Sequence, residues 1–200
     1  CGGLTLLKPL VRARPDLQVV YVADQASDPY DSLPKEALTD RLQRLNRVFA
    51  ECGIQRVVLA CDAASTILSE LTHDGPIVSG IIEPTIRAMR RRKFREVGII
   101  GGRRTILSGV YGRTLRRNRI LCVQRVSLEL TERIEQGLIE DDETIGHIQA
   151  LLDPLCKVDA LVLANTHYAI ARNIIQSCLP KAELIIPVEE SLKELVRDLP

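Results

Sequence analysis

Two stretches of the chain share one pattern: "RVVLACDAAS" at 56–65 and "ALVLANTHYA" at 160–169. In each, a run of aliphatic, β-branched residues is followed by small and polar residues. Such runs are typical of buried parallel strands, and the polar residues lie where a strand ends and a helix begins. The first stretch carries a thiol, Cys61, where the second carries an amide, Asn165.

Predicted strands alternate with predicted helices along the rest of the chain. The other strands are expected at 18–24, 77–82, 97–102, 120–126 and 183–187. Between them lie segments with helical periodicity; in 36–53 one helix face is formed by Leu38, Leu42, Leu45, Val48 and Phe49. The alternation predicts an α/β fold with mostly parallel sheets and right-handed crossovers.

The two halves of the chain resemble each other. Three features recur at nearly constant separation: Gly2-Gly3 against Gly101-Gly102, Cys61 against Asn165, and Glu83 against Glu189. An internal duplication of this kind predicts two pseudo-symmetric, three-layer α/β lobes. We assign 1–93 plus 186–200 to the first lobe and 94–185 to the second. A strand precedes the second glycine pair but not the first, so we expect the N-terminal strand of the first lobe to be missing from this chain.

A functional site is expected in the cleft between the lobes. With an approximate two-fold axis, the carboxyl ends of both sheets face one cleft, where open α/β sheets bind ligands. Cys61 and Asn165 then approach a ligand from opposite sides. Two such groups suit the inversion of a carbon centre, which needs a proton removed from one face and another returned to the opposite face.

Composition narrows the class of protein. The 27 basic and 26 acidic residues nearly cancel, and the basic run at 87–95 lacks stacking aromatic residues, so we expect a solvated helix end and no nucleic-acid partner. No apolar run is long enough to span a bilayer, and the N-terminus has no secretion signal, which favours the cytoplasm and no membrane partner. The six cysteines lack zinc-site spacing and are expected to be free thiols, with no metal bound.

Several motifs resemble those of the glutamate racemases, within the aspartate/glutamate racemase superfamily, and they span nearly the whole chain. They are "CGGLT" at 1–5, "ADQASDPYDSL" at 23–33, "ACDAAS" at 60–65, "IIEP" at 81–84, "VGIIGGRRTILSGVY" at 97–111 and "THY" at 166–168. The resemblance implies interconversion of L- and D-glutamate for peptidoglycan synthesis. It also implies that no cofactor is used and that two cysteine thiols act as base and acid.

The resemblance assigns roles to particular residues and also shows where the chain departs from the family. Cys61 corresponds to the first catalytic thiol, but the second is replaced by Asn165, whose amide has no usable proton-transfer equilibrium near neutral pH. His167 is then the candidate for the second acid/base group. The expected substrate-binding residues are Pro29, Tyr30, Asp62, Ala63, Asn165 and Thr166.

The chain departs from the family pattern at three further positions. Asp31 stands where the pattern has glycine, and Asp62 and Ala63, directly after the first thiol, stand where it has asparagine and threonine. A carboxylate beside Cys61 is expected to raise the pKa of the thiol.

Three functions are compatible with these residues. The first is a glutamate racemase-like enzyme with impaired activity, which acts on a small amino acid and forms a homodimer as the family suggests. The second is a non-catalytic homologue that binds an amino acid or a partner protein. The third is a decarboxylase or isomerase of the same superfamily, which needs only one cysteine.

Overall fold

The computed structural model describes residues 2–25, 29–72 and 74–199. The strands are β1 (Arg56–Leu59), β2 (Ile77–Gly80), β3 (Glu96–Gly101), β4 (Leu121–Val126), β5 (Ala160–Ala164) and β6 (Glu183–Ile185). The helices of the first part are α1 (Gly2–Ala13), α2 (Lys35–Glu51), α3 (Asp62–Ser65), α4 (Ile82–Arg92), α5 (Arg103–Leu107) and α6 (Val110–Arg117). They are followed by α7 (Glu129–Glu135), α8 (Asp142–Leu152), α9 (Arg172–Cys178) and α10 (Pro187–Asp198). In the described part of the chain, no helix combines the length and the apolar character needed to cross a membrane.

The strands form two parallel sheets, which confirms the predicted fold class. One sheet contains β1 and β2, and the other has the order β4-β3-β5-β6. In the larger sheet Gly101 is in register with Ala164, so the carboxyl ends of β3 and β5 lie side by side. A Cβ on Gly101 would lie 2.8 Å from the Ala164 carbonyl oxygen, so glycine permits this close approach.

Helices cover both faces of the larger sheet. Ile100, Leu161 and Leu163 face one core cluster, which α7, α8 and α9 help to form. The alternate residues Val97, Ile99 and Val162 face a second cluster with α4 and α6. Because the two faces of β3 and β5 are both buried, these strands are apolar throughout, as expected for a three-layer α/β arrangement.

The strand predicted at 18–24 is wrong. The segment is irregular, and Val19, Val20 and Val22 have 40%, 65% and 46% of their surface exposed. An apolar groove of about 860 Å³ is lined by this segment, α1, α2 and β1. Without a neighbouring strand to bond its backbone, a β-branched sequence does not form a ladder. The expected missing strand of the first lobe stays a prediction.

The apolar face predicted for α2 is only partly correct. Leu38 and Leu42 are buried, but Val48 is 51% exposed, and the buried position on the last turns is taken by Asn46. The helix ends at Glu51, close to the predicted end at Gly53.

The basic run at 87–95 forms the end of α4, as predicted, but its arginines are paired with carboxylates rather than simply solvated. Arg87 and Arg91 form ion pairs with Glu194 of α10. Arg92 forms ion pairs with Glu190 and Glu183. These pairs attach α4 to α10 and to the start of β6, and they account for three of the positive charges in the run.

Candidate active site

Cys61 lies between β1 and α3, where the chain is extended before the helix begins. The carbonyl oxygen of Cys61 accepts hydrogen bonds from the Ser65 amide at 2.9 Å and the Ser65 hydroxyl at 2.8 Å. The same hydroxyl accepts a bond from the Ile81 amide, after β2, at 3.1 Å. Ser65 therefore fixes the turn that carries the thiol against the neighbouring strand.

The Cys61 thiol is protonated in this environment. Burial raises its pKa to about 11, and the charges of Asp62 and Asp31 raise it further, while the Ala64 and Ala63 amides at the start of α3 oppose the shift. The contribution predicted for Asp62 is present, but burial is the larger cause. A positive ligand group beside the thiol, such as an ammonium, would favour the thiolate, the form that can accept a proton.

Asp62 is buried, with 3% of its surface exposed. Its Oδ1 accepts a hydrogen bond from the Tyr111 hydroxyl of α6 at 3.1 Å, and its Oδ2 has no hydrogen-bond partner among the described residues. Burial raises the pKa of Asp62 to about 7, although the bond from Tyr111 opposes the shift. Asp62 thus joins the end of the small sheet to a helix of the large one, and its second oxygen is buried without a hydrogen-bond partner among the described residues.

Asp31 occupies the backbone amides at the start of α5. Its Oδ2 accepts the Arg103 amide at 2.8 Å and its Oδ1 accepts the Arg104 amide at 3.0 Å. The Arg104 Nε also donates to the Tyr30 carbonyl at 2.8 Å. A Cβ on Gly102 would lie 2.4 Å from Asp31 Oδ1, so this contact requires glycine. The sequence analysis noted Asp31 as a departure but missed this role, because the two segments lie far apart in the chain.

The other residues predicted around the first thiol are placed as follows. Pro29 is exposed and Ala63 is buried. The Tyr30 hydroxyl donates to Asp24 Oδ2 at 2.7 Å, and Asp24 also accepts a bond from Arg41 Nε at 2.8 Å. Burial raises the pKa of Tyr30, and the bond to Asp24 adds to the shift. Tyr30 and Cys61 both line the apolar groove described above.

Asn165 lies at the carboxyl end of β5, and both ends of its amide are used. Its Nδ2 donates to Thr131 Oγ1 of α7 at 3.0 Å. Its Oδ1 accepts the His167 amide at 3.0 Å and lies 3.1 Å from His167 Nδ1. Asn165, and not Thr166, is therefore the residue that caps the turn after β5.

His167 directly precedes a 3₁₀ helix, Tyr168–Ala171. Its Nε2 is 3.7 Å from Glu135 Oε1. Burial lowers the pKa of His167, and the Glu135 carboxylate opposes the shift. The imidazole is therefore neutral at physiological pH, a form in which one nitrogen can accept a proton and the other can donate one.

Tyr168 is buried beside the turn that carries Asn165 and His167, and sequence analysis used it only as part of a motif. Its hydroxyl donates to the Ser127 carbonyl and lies 3.4 Å from Thr131 Oγ1. Burial raises the pKa of Tyr168 to about 12, and the charges of Asp31 and Asp62 contribute. In addition, α3 packs against α5. Because α5 follows β3, and β3 and β5 end side by side, the turn that carries Cys61 and the turn that carries Asn165 and His167 lie at the same edge of the larger sheet.

The described residues contain no cluster of three His, Cys, Asp or Glu side chains that could hold a metal ion. The chemistry that these residues can supply is proton transfer by Cys61, Asp62 and His167, together with hydrogen bonds from backbone amides and from Asn165.

Comparison with known proteins identifies the family of the chain. The sequence matches the Asp/Glu/Hydantoin racemase family over residues 11–195. The chain belongs to this racemase family. It is 32% identical to the glutamate racemase of Aquifex aeolicus over 98% of this chain and 80% of that relative.

Solved racemase structures share the fold of this racemase chain. Glutamate racemase from Thermus thermophilus, in complex with beta-chloro-D-alanine, has a TM-score of 0.86 and 29% identity over 99% of this chain and 76% of that one. A glutamate racemase isoform from Bacillus anthracis has a TM-score of 0.88 and 25% identity over 99% of this chain and 77% of that one. The likeness therefore extends over both sheets of the molecule.

Proposed function

We propose that the chain is a glutamate racemase-like enzyme that interconverts L- and D-glutamate without a cofactor, in the cytoplasm, and that its product serves peptidoglycan synthesis. The family match and the glutamate racemases among its relatives support the reaction class and the substrate. The observation that carries the proposal is the packing of α3, which follows Cys61, against α5, at the edge of the larger sheet where β5 leads into the turn at Asn165–His167.

Cys61 is the proton-transfer group on one face of the substrate. Its thiol lies against the amides of Ala63 and Ala64, which favour the thiolate. Asp62, with one oxygen unpaired, is suited to bind the substrate ammonium, and that positive charge lowers the cost of ionising Cys61. Binding of the substrate ammonium and ionisation of the Cys61 thiol are coupled in this way.

His167 is the proton-transfer group on the opposite face. It is neutral and half-buried, but its two ring nitrogens are directed at Asn165 and Glu135. Proton transfer to substrate requires the ring to leave at least one of these contacts. Proton transfer on the His167 face of the substrate is therefore slower than proton transfer on the Cys61 face. Inversion, which needs both transfers, is slower than exchange of the α-proton at Cys61.

Substrate binding involves both halves of the chain. Around the ammonium and carboxylates we place Pro29, Tyr30, Asp62, Ala63, Asn165 and Thr166. They come from the first lobe, 1–93 plus 186–200, and from the second, 94–185. Polar groups at the carboxyl ends of parallel strands suit a small, doubly charged amino acid.

The test follows deuterium and stereochemistry separately. L- and D-glutamate are each incubated with the chain in deuterated water, with loss of the α-proton signal measured by NMR and inversion by circular dichroism. We expect exchange faster than inversion, and faster from the enantiomer whose α-proton faces Cys61. Glutamate that binds in calorimetry but shows no exchange from either enantiomer would contradict the proposal.

A further inference from the structure

The helix α7 supplies two contacts to the turn that carries Asn165 and His167. Thr131 Oγ1 accepts a bond from the Asn165 amide at 3.0 Å, and Glu135 Oε1 lies 3.7 Å from His167 Nε2. The helix also packs against the 3₁₀ helix Tyr168–Ala171, which follows His167. Because the His167 ring has to leave one of its contacts to reach the substrate, the remaining contact sets its position, and both contacts depend on α7.

The start of α7 is held by a cluster of three side chains, Ser127, Glu129 and His147. Ser127 Oγ lies 2.9 Å from His147 Nε2, and His147 Nδ1 lies 3.1 Å from Glu129 Oε2. The Ser127 hydroxyl also accepts the amide of Leu130, in the first turn of α7, at 3.1 Å. With its proton on Nδ1, the imidazole donates to Glu129 and accepts the Ser127 hydroxyl, so both ring nitrogens are used.

Ser127 connects this cluster to the rest of the site. It is 4% exposed. Its amide donates to the Gly101 carbonyl at the end of β3 at 3.1 Å, and its carbonyl accepts the Tyr168 hydroxyl. The contact between His147 and Ser127 therefore fixes α7 relative to the larger sheet and to the 3₁₀ helix after His167.

His147 belongs to α8, which packs against α7. A second contact between the two helices is formed by Arg133 of α7, which makes ion pairs with Asp141 and Glu143 at the start of α8. Glu143 is 78% exposed, and such exposed pairs contribute little to stability. The contact of His147 with the buried Ser127 is better shielded from water and is the stronger constraint on α7.

We propose that His147 is a positioning residue for proton transfer on the His167 face of the substrate. It acts through Ser127, which fixes the start of α7, and α7 in turn holds the turn at Asn165–His167. Glu129 orients the imidazole of His147. A displacement of about 1 Å at a reacting group can lower its rate by about 100-fold, so a shift of α7 is sufficient to slow the transfer. The inference rests on the proposed function, because it concerns the second proton transfer of that reaction.

Separate measurement of the two faces tests the role of His147. His147→Ala is compared with Gln149→Ala, which removes an exposed side chain from the same helix. Exchange of the α-proton and inversion of glutamate are both followed in deuterated water. We expect His147→Ala to lower inversion by roughly tenfold or more and to leave exchange at Cys61 within about twofold. A general loss of structure would lower both rates together, and the control should change neither.

A second variant tests whether His147 acts through Ser127. Ser127→Ala should lower inversion at least as much as His147→Ala does, because it removes the contact and also the acceptor of the Leu130 amide. The double variant should then be no slower than Ser127→Ala alone, since residues in one network do not have additive effects. Additive losses would show that the two residues act separately and would overturn the proposal.

The ring-nitrogen chemical shifts of His167 give a readout that does not need catalysis. The chain has three histidines, so two ring signals remain in His147→Ala. We expect the His167 shifts to change in His147→Ala and not in Gln149→Ala. Absence of exchange in the unaltered chain contradicts the proposed function. The present inference is overturned by unchanged His167 shifts in His147→Ala, with or without catalysis, or by an unchanged ratio of inversion to exchange in an active chain.

Discussion

Cys61 and Asn165 lie at corresponding places in the two halves of the molecule, each near the carboxyl end of a parallel strand, yet their side chains are used differently. The Cys61 thiol lies against backbone amides and is opposed by nearby carboxylates. The Asn165 amide is held at both ends, by Thr131 and by His167. One strand end therefore keeps a group that can gain and lose a proton, and the other has become a structural cap. The same backbone position supports chemistry or structure according to its side chain.

Removing the thiol should have the largest effect. We expect Cys61→Ala to lower deuterium exchange at the α-carbon of glutamate by about 100-fold to 10,000-fold, the usual contribution of a positioned acid/base group. Cys178→Ala removes another half-buried thiol and is the control, with little change expected. Equal rates in the two variants would show that the two strand ends do not differ chemically as proposed.

Placing a thiol at position 165, after β5, should reduce the chemical difference between the two strand ends. Asn165→Cys is expected to raise the rate of inversion by roughly 100-fold, because a proton-transfer group then stands on the second face. Asn165→Ser also breaks the bonds to Thr131 and His167 without adding such a group, and should give no gain. If Asn165→Cys leaves inversion unchanged while the unaltered chain racemises well, His167→Ala will show whether His167 is the second base.

Asp62, next to Cys61, makes the free energy of unfolding depend on pH. An unfolded aspartate has a pKa of about 3.9, whereas burial raises that of Asp62 to about 7. Between these values the folded chain holds a proton that the unfolded chain has lost, so this residue makes the free energy of unfolding fall as pH rises through that window and level off above it.

Asp62→Asn should remove that dependence. The amide keeps the bond from Tyr111 without a buried charge, so we expect about 1–3 kcal/mol of added stability above neutral pH and little change near pH 4. Urea unfolding at several pH values measures it, with the exposed Asp40→Asn as control. Parallel pH profiles for Asp62→Asn and the unaltered chain would refute this account of Asp62.

Removing one hydrogen bond from the turn that Asn165 caps after β5 should have the smallest effect. Thr131→Val removes the acceptor of the Asn165 amide and should cost about 1 kcal/mol of unfolding free energy, the usual net value of one hydrogen bond. The measurement is urea unfolding, with Thr39→Val as the control because its hydroxyl bonds only within its own helix. A variant as stable as the control would mean that Asn165 is not held as tightly as its contacts suggest.

Local sequence was sufficient for most of the framework. The strands at β1 to β6 begin and end within a few residues of their predicted bounds, because each is a short, mostly apolar run bounded by small or polar residues. The exception is 18–24, which has the composition of a strand but no neighbour to pair with. Val48 was likewise predicted in the core and is exposed, because burial depends on what packs against a helix face.

The sequence by itself determined the fold class, the family motifs and the presence of an amide, Asn165, in place of a thiol after β5. Each of these depends on short stretches of consecutive residues. Only the tertiary structure decided that Asp31 binds the amides of α5, that Asp62 is buried against Tyr111, and that Asn165 caps its own turn through Thr131. These contacts join residues between 34 and 73 positions apart in the chain. Such contacts, and the pKa values that depend on them, exist only once the strands and helices have packed together.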